Sequence, residues 1–569
     1  MEAVRGLMRS NNWDAVIIGG SDPHSSEYPA PRWKQVEWVS GFTGEAGDIV
    51  ITLDHAGLWT DTRYFIQANR QLEGSGIVLH KTRVPDQILI PQWLSENAFP
   101  EKESVNIAVD GLCQRVSDIE ELKSAFGEDR TARIVSIPDM LDAIWQDRPA
   151  IPATPIIELA DEQVGESSDD KIDWLRSFIR KKGCNSMLVC ALDEIAWLLN
   201  VRGSDIEYNP LVISYLIITE EEVRWYTRES YDDIYVAISE DCGKMYVDPD
   251  SLNYHIYTML PKDSIMLGPS PVALRKAVKN EVEIESMRDA HLEDGLAMEK
   301  FLFWLETSLE NGEQIDEWEA SVKLSELRGE IQGYAGDSFE TISAYGPGGA
   351  LPHYITPKTD APKLRRCGLY LCDSGGQYSF GTTDITRTVP LGPCTRMEME
   401  DYTLVLKGHI DLAMAVFPKG TAGCQIDAVA RMPLWKTGRN FGHGTGHGVG
   451  FFLGVHEGPQ DIRQNFNKQA LLPGMIVSDE PGIYREGLHG VRHENLLLCR
   501  EAGSSEFGEW LDFETLTLCH FDTDAILKEL LDKDEIKWLN DYNERVFRTL
   551  SPRLPAEIAL WLRDKTEPI

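Results

Sequence analysis

The chain has 569 residues, too many for one hydrophobic core, and roughly 150 residues per domain predicts three or four domains. Its apolar fraction of 42% is that of a globular protein rather than a disordered one. The 55 basic and 92 acidic side chains leave a net charge of −37, which argues against nucleic acid or an anionic membrane as the main partner, because both need basic patches.

The opening MEAVRGLMRSNNW carries no apolar signal core, and no window approaches the ~18 apolar residues of a membrane span. WDAVIIGG (13–20) predicts a short strand, and GDIVITLDHAGLWTD (47–61) predicts two strands around an Asp-His-Ala-Gly turn. DRPAIPATP, with Pro149, Pro152 and Pro155, reads as an extended linker. The same rhythm then returns: SMLVCA (186–191) is a strand and SYLIITEEEVRWYT (214–227) is strand, polar turn and strand. That pattern predicts a divergent repeat of one α/β unit. A second proline cluster, Pro269 and Pro271, precedes a long helix from about 281, in which Met298, Phe301, Leu302 and Leu305 share one face. The expected domains are 1–148, 149–278 and 279–569, the last ending in a charged helical stretch, DTDAILKELLDKDEIKWLNDYNERV, that reads as a docked tail. Ten scattered cysteines without CxxC or zinc-ribbon spacing read as reduced thiols in a cytoplasmic protein.

Most of the unusual residues fall in the third segment. LYLCDSGGQYSFGTTDITRTV (369–389) predicts a bent strand pair with Asp373 and Asp384 on its arms. Two carboxylates facing each other need a proton or cations between them, although aspartates near glycine also serve as turn residues. VSDEPGIYREGLHGVRHENLLLC (477–499) repeats the plan with Glu480 and Glu494 in apolar surroundings, where an unpaired glutamate is costly. Between them lies FGHGTGHGVG (441–450), whose five glycines argue against a helix and so against His443 and His447 sharing one ion from one helical face. In an extended chain four residues span ~13 Å, so at most one of the two histidines ligates a given ion. The spacing is not GxGxxG, and no P-loop or GxSxG nucleophile elbow occurs. Four carboxylates and one imidazole suit Mn²⁺- or Mg²⁺-like ions, and that much negative charge favours two ions ~3.5–4 Å apart over one.

DSGGQYxxGTTDITRT, GHGTGHGVGxFLxVHEGP and DEPGxYxxGxxGVRxEN resemble the motifs of the pita-bread metallopeptidases, specifically the three-domain, cytosolic-type Xaa-Pro aminopeptidases (aminopeptidase P). SEYPAPRWKQVEWVSGFTGEAG and LWTDTRYFIQA resemble that family's first domain. The resemblance implies an α/β (α+β) chain of two creatinase-like N-terminal domains and a pita-bread catalytic domain. It also implies metal ligands at Asp373, Asp384, His447, Glu480 and Glu494, with further active-site histidines at His353, His443 and His456. Arg63 matches a substrate-contacting arginine of the first domain. His493 stands where the family usually carries an aliphatic residue. As the neighbour of Glu494 it points to the opposite strand face, so it is not expected to be a ligand; a supporting hydrogen bond and an altered metal affinity both stay open.

The activity implied is removal of an N-terminal residue from peptides with proline in second position, by a hydroxide held between two Mn²⁺ ions, with Co²⁺ or Zn²⁺ as substitutes. Glu480 is expected to relay the proton, His353 and His456 to stabilise the attacked carbonyl and escort the leaving amine, and His443 to line the proline pocket. The resemblance further implies a homodimer. A prolidase restricted to dipeptides shares the ligands and is the nearest alternative; a non-catalytic peptide-binding relative would have lost ligands that are all present here.

Overall fold

The apolar run after Trp13 forms the strand Ala15–Ile18, with all four residues buried. It pairs antiparallel with Asp48–Thr52, which turns back as Ala56–Thr60, and parallel with Ser104–Val109, beyond which lies Thr131–Ser136. The edge strand Val78–Lys81 completes a six-stranded mixed sheet. The second run, Ser186–Val189, does the same: antiparallel to Ser214–Thr219 and its hairpin partner Val223–Thr227, parallel to Met245–Val247 and then Ile265–Leu267. The repeat predicted from the sequence is therefore a repeat of strand order and direction, with one extra edge strand in the first copy. Continuous apolar runs carry this pattern because the central strands are buried throughout, as in Ala15–Ile18 and Ser186–Val189, whereas the edge strands Val78–Lys81 and Ile265–Leu267 are not.

The computed structural model describes residues 1–240 and 243–569. Both sheets belong to one compact unit, Met1–Asp161 with Glu166–Val272. Inside it His24 joins the two copies, its ring nitrogens 2.9 Å from the Cys190 carbonyl and 2.9 Å from the Tyr231 hydroxyl. Pro149–Pro155 has no regular structure, as expected of a linker.

The second unit is Glu162–Gly165 with Ala273–Ile569. A short helix, Pro271–Ala277, precedes the long one, Glu281–Glu310. Asn280 caps the long helix in a reciprocal box with Glu283, and the predicted face of Met298, Phe301, Leu302 and Leu305 is buried in one core cluster. Strands Ile342–Tyr345, Leu369–Ser374 and Ile385–Pro390 make one sheet. A six-stranded sheet is built around Gly446–Gly448, Ile476–Asp479 and Asn495–Ser505. Mixed sheets with packed helices in both units make the chain α/β, the class expected from the sequence.

The C-terminal stretch docks: its helix, Lys533–Leu550, starts later than the charged run does, and Leu539, Tyr542, Val546 and Leu550 are core residues beside Tyr402, Val405 and Leu406. Most of its charges lie on the outer face, while Glu535 is buried and ion-paired to Lys407. Nine described cysteines are unpaired, Cys372 fully buried among them, and Cys242 lies outside the described residues. Among the described residues no helix is long and apolar enough to cross a membrane.

Candidate active site

The four carboxylates meet at strand ends. Asp373 lies in Leu369–Ser374, paired with Thr386 rather than with Asp384, which stands one residue before the strand Ile385–Pro390. Asp479 pairs with Asn495, so Glu480 and Glu494 occupy the next positions, where each strand has just ended or not yet begun. The expected hairpin arms therefore deliver the acids from their tips. Backbone bonds pin those tips: Glu480 N–H donates to the Thr445 carbonyl at 2.8 Å, and Glu494 N–H to Thr386 at 3.1 Å.

Ligand-type atoms of Asp373, Asp384 and Glu494 lie within 4.8 Å of one another, as do those of His447, Glu480 and Glu494, and those of Asp384, His447 and His456. Three overlapping groups sharing Glu494, Asp384 and His447 make one continuous cluster. His447 Nδ1–H donates to the Gly448 carbonyl at 3.0 Å, which leaves Nε2 as a lone-pair donor 3.4 Å from Asp384 and 3.5 Å from Glu480. His456 stands edge-on to it, with ring centroids 4.3 Å apart.

His443 has a different environment. Its Nδ1–H donates to the Gly444 carbonyl at 2.7 Å, so Nε2 accepts from the Tyr484 hydroxyl at 2.7 Å. Tyr484 in turn accepts from Arg492 Nη1 at 2.7 Å, and Arg492 Nη2 is ion-paired to Asp373. Burial, then the Arg492 charge, with smaller contributions from Arg431 and His353, hold His443 well below the usual imidazole pKa. It is a neutral ring in the cluster wall. Both histidines flank Glu480, His443 at 4.0 Å and His447 at 3.5 Å, and only His447 turns a free nitrogen to the acids.

The glycines serve clearance more than bending. None of the described glycines from 444 to 450 has a positive φ. A Cβ on Gly446 would stand 1.9 Å from the Ser478 carbonyl oxygen, and one on Gly448 2.1 Å from that of Glu457. Neighbouring strands thus approach closer than any side chain allows. Helix Asp427–Trp435 anchors the segment: Arg431 donates to the Phe441 and His443 carbonyls, each at 2.8 Å.

Electrostatics show what the cluster lacks. Burial pushes Glu480 up to about 7, and burial together with Asp384, Glu480 and Asp373 pushes Glu494 well above the ordinary carboxylate range. Asp373 is also raised by burial despite Arg492, and its Oδ1 is buried without a hydrogen bond. Ion pairs to these acids come from the Arg492 guanidinium, on Asp373, and from the rings of His443 and His447. Four close carboxylates, one lone-pair imidazole and an orphaned oxygen are a donor set that fits divalent cations.

His353 follows the turn Gly346–Ala350, which packs so tightly on the strand His489–Arg492 that a Gly490 Cβ would meet the Gly349 carbonyl at 1.6 Å. Arg63 lies in the first unit and binds Asp61 through two bonds of 2.9 and 2.8 Å. His493 makes no supporting hydrogen bond. It is fully buried, both ring nitrogens lack partners, and it packs edge-on against Tyr402 and Phe521, on the far side from the acids as strand alternation requires. The reading of the sequence assigned no role to Arg492, Tyr484 and Thr386, whose hydroxyl donates to Glu494 at 2.8 Å. Period-2 spacing was the available signal for Arg492, two residues from Glu494, and for Thr386, two from Asp384.

Profiles of known families match along the chain: Creatinase/Prolidase N-terminal domain at residues 1–144 and again at 147–236, Metallopeptidase family M24 at 285–501, and the C-terminal region of that peptidase family at 509–569. A probable Xaa-Pro aminopeptidase P of Coprinopsis cinerea is 37% identical over 100% of this chain and 98% of its own. Aminopeptidase P1 of Arabidopsis thaliana is 34% identical over 100% and 99%. The crystal structure of an X-prolyl aminopeptidase from Caenorhabditis elegans, described as a cytosolic enzyme with a di-nuclear active site, superposes with a TM-score of 0.93 at 34% identity, covering 98% of this chain and 95% of that one.

Proposed function

This chain belongs to the Xaa-Pro aminopeptidase P family within metallopeptidase family M24, and from that premise we propose how its residues divide the work of cleaving the bond between an N-terminal residue and proline. The observation that carries the reading is the cluster itself: buried acids that share too little positive charge of their own, arranged as overlapping triads. Asp373, Asp384 and Glu494 would hold one divalent ion, and His447 and Glu480, beside Asp384 and Glu494, would hold a second. Bound ions supply Lewis acidity, acidifying water and polarising the scissile carbonyl. Mn²⁺ is the expected native metal, because oxygen donors dominate.

Glu480 is the proton carrier. Its side chain is 19% exposed, against 4% for Asp384 and 11% for Asp373, so of these three acids it is the one best able to exchange a proton with water and the leaving amine. His456, edge-on to His447, and His353 stabilise charge on the attacked carbonyl oxygen and donate to the prolyl nitrogen. His443, kept neutral by burial and the Arg492 charge and fixed by its bond with Tyr484, presents a ring face suited to a pyrrolidine. Arg63 takes part in substrate binding, as in the family motif it matches.

The relatives are matched over nearly their whole length, including both N-terminal domains, which favours an aminopeptidase acting on longer peptides over a dipeptide-restricted prolidase. We read the chain as three domains, 1–148, 149–278 and 279–569, in a cytoplasmic homodimer. Replacing Glu480→Gln and assaying Arg-Pro-Pro with Mn²⁺ tests the assignment. A fall in kcat of about 10²-fold or more is expected, and undiminished turnover would sink it. Comparing Arg-Pro with Arg-Pro-Pro separates the two peptidase readings.

A further inference from the structure

The first unit carries two histidines that peptide cleavage does not use. His55 lies in the turn between Asp48–Thr52 and Ala56–Thr60, and His80 on the edge strand Val78–Lys81. Parallel pairing sets His80 beside Trp59, and the two rings stack at 3.8 Å with planes 4° apart. Gly57 makes the approach possible, since a Cβ there would stand 2.6 Å from His80 Cδ2. Trp59 is itself fixed by an Nε1–H bond of 2.9 Å to the Ile88 carbonyl, and Trp93 lies 4.7 Å from the His55 ring. The two imidazoles are thus held by aromatic neighbours while both stay half-buried and reachable from solvent.

That framework brings the two Nε2 atoms to 3.2 Å. Two imidazoles bound to one tetrahedral ion at about 2.0–2.1 Å per bond place their nitrogens about 3.3 Å apart. The pair is therefore already at chelating distance. At this distance one neutral ring's Nε2–H donates to the other ring's Nε2. Burial lowers both ring pKa values, His80 to about 4, so both rings are neutral near pH 7, and moving the shared proton to Nδ1 leaves both Nε2 lone pairs for an ion. The Asp54 carboxylate next to His55 and the overall charge of −37 attract cations to this face.

We propose that His55 and His80 form a two-imidazole site for one late first-row divalent ion, Zn²⁺, Ni²⁺ or Cu²⁺, distinct from the carboxylate cluster of the second unit. Nitrogen donors select these ions, whereas the oxygen-rich cluster suits Mn²⁺. Water completes the coordination on the solvent side. The ion clips the turn at 53–55 to the edge strand and stabilises the first unit by mass action.

The test uses the full-length protein preloaded with Mn²⁺. Cu²⁺ is titrated by calorimetry while tryptophan fluorescence is followed, because an ion on His80 sits against the Trp59 ring. The wild type should take up one equivalent more than His55→Gln or His80→Gln, with matching quenching. Each variant should bind that ion at least about tenfold more weakly, with Xaa-Pro cleavage unchanged. Equal uptake and quenching in wild type and both variants would overturn the site. If His80→Gln disturbs the stack on Trp59, His55→Gln in the half-exposed turn decides alone.

Discussion

The second unit contains two buried carboxylate centres with opposite character. Asp401 is fully buried and receives Arg439 at 2.8 Å, His489 at 2.9 Å and both donor arms of Arg485. Burial pushes its pKa up, yet the bonds from Arg485, His489 and Arg439 outweigh burial and hold it far below the ordinary range. At the catalytic cluster the proportion is reversed: four acids share one guanidinium, and Glu480 and Glu494 rise instead of falling. At Asp401 the chain answers the charge and the carboxylate is part of the scaffold. Burial also raises Glu317 and Asp411 to about 7, so what marks the catalytic cluster as a place for cations is the convergence of several raised acids with an imidazole nitrogen, not the sign of a shift alone.

Metal removal should show the contrast at its largest. Without ions, the folded protein binds protons at Glu480 and Glu494 that the unfolded chain releases at ordinary carboxylate pKa values. The stability contributed by these protonated acids is full below the unfolded pKa of about 4.3 and is lost as pH rises through about 7. Chelated protein should therefore lose Tm between pH 5 and 8, measured by calorimetry. Protein with excess Mn²⁺ should be about 4 kcal/mol more stable at pH 8 if the ion is at ~1,000 times its Kd. A flat, metal-independent Tm would end the comparison.

Asp401→Asn should act in the opposite sense. It leaves Arg485 without its close anion and Arg439 with Glu400 alone, and should cost about 3 kcal/mol by urea unfolding at pH 7. Because the Asp401 pKa is depressed, that penalty should hold across neutral pH and shrink only as acid protonates the native carboxylate. Turnover per folded molecule at low temperature should be unchanged. The smallest effect is expected at His493, whose unpartnered ring nitrogens lie among Tyr402 and Phe521. His493→Leu should be neutral or stabilising by about 1 kcal/mol, with kcat/KM unaltered. A loss of metal affinity in that variant would give His493 the supporting role that the fold denies it.

Much of the site was legible because metal chemistry restricts residue type. Asp373, Asp384, Glu480 and Glu494 announce themselves as acids in apolar strands, and the glycine content of 441–450 excludes a two-histidine clamp on one helical face. Arg492 and Tyr484 gave no such signal, since an arginine and a tyrosine in a strand are ordinary until Asp373 and His443 arrive from elsewhere in the chain. Arg387 is the extreme case. Fully buried, it binds the carbonyls of Glu494, Cys519 and His520 and the side chains of Asn495 and Tyr542, locking a ligand strand to the C-terminal segment. Nothing in TDITRTV predicts partners more than a hundred residues away.

By itself the sequence determined the repeat of strand order in the first unit, the long helix at 281–310, the acids and the histidine of the cluster, and the family. The repeat, the helix and the acids follow from local periodicity and side-chain chemistry, which a linear string preserves; the choice of His447 and the family follow from the resemblance of whole motifs. Only the tertiary structure decided that His443 is tied to Tyr484 while His447 keeps a free nitrogen, that the glycines clear neighbouring carbonyls, that the C-terminal helix is core, and that His55 meets His80. Each of those depends on which distant groups come within about 3 Å, and hydrogen bonds and steric clearance are decided at that distance.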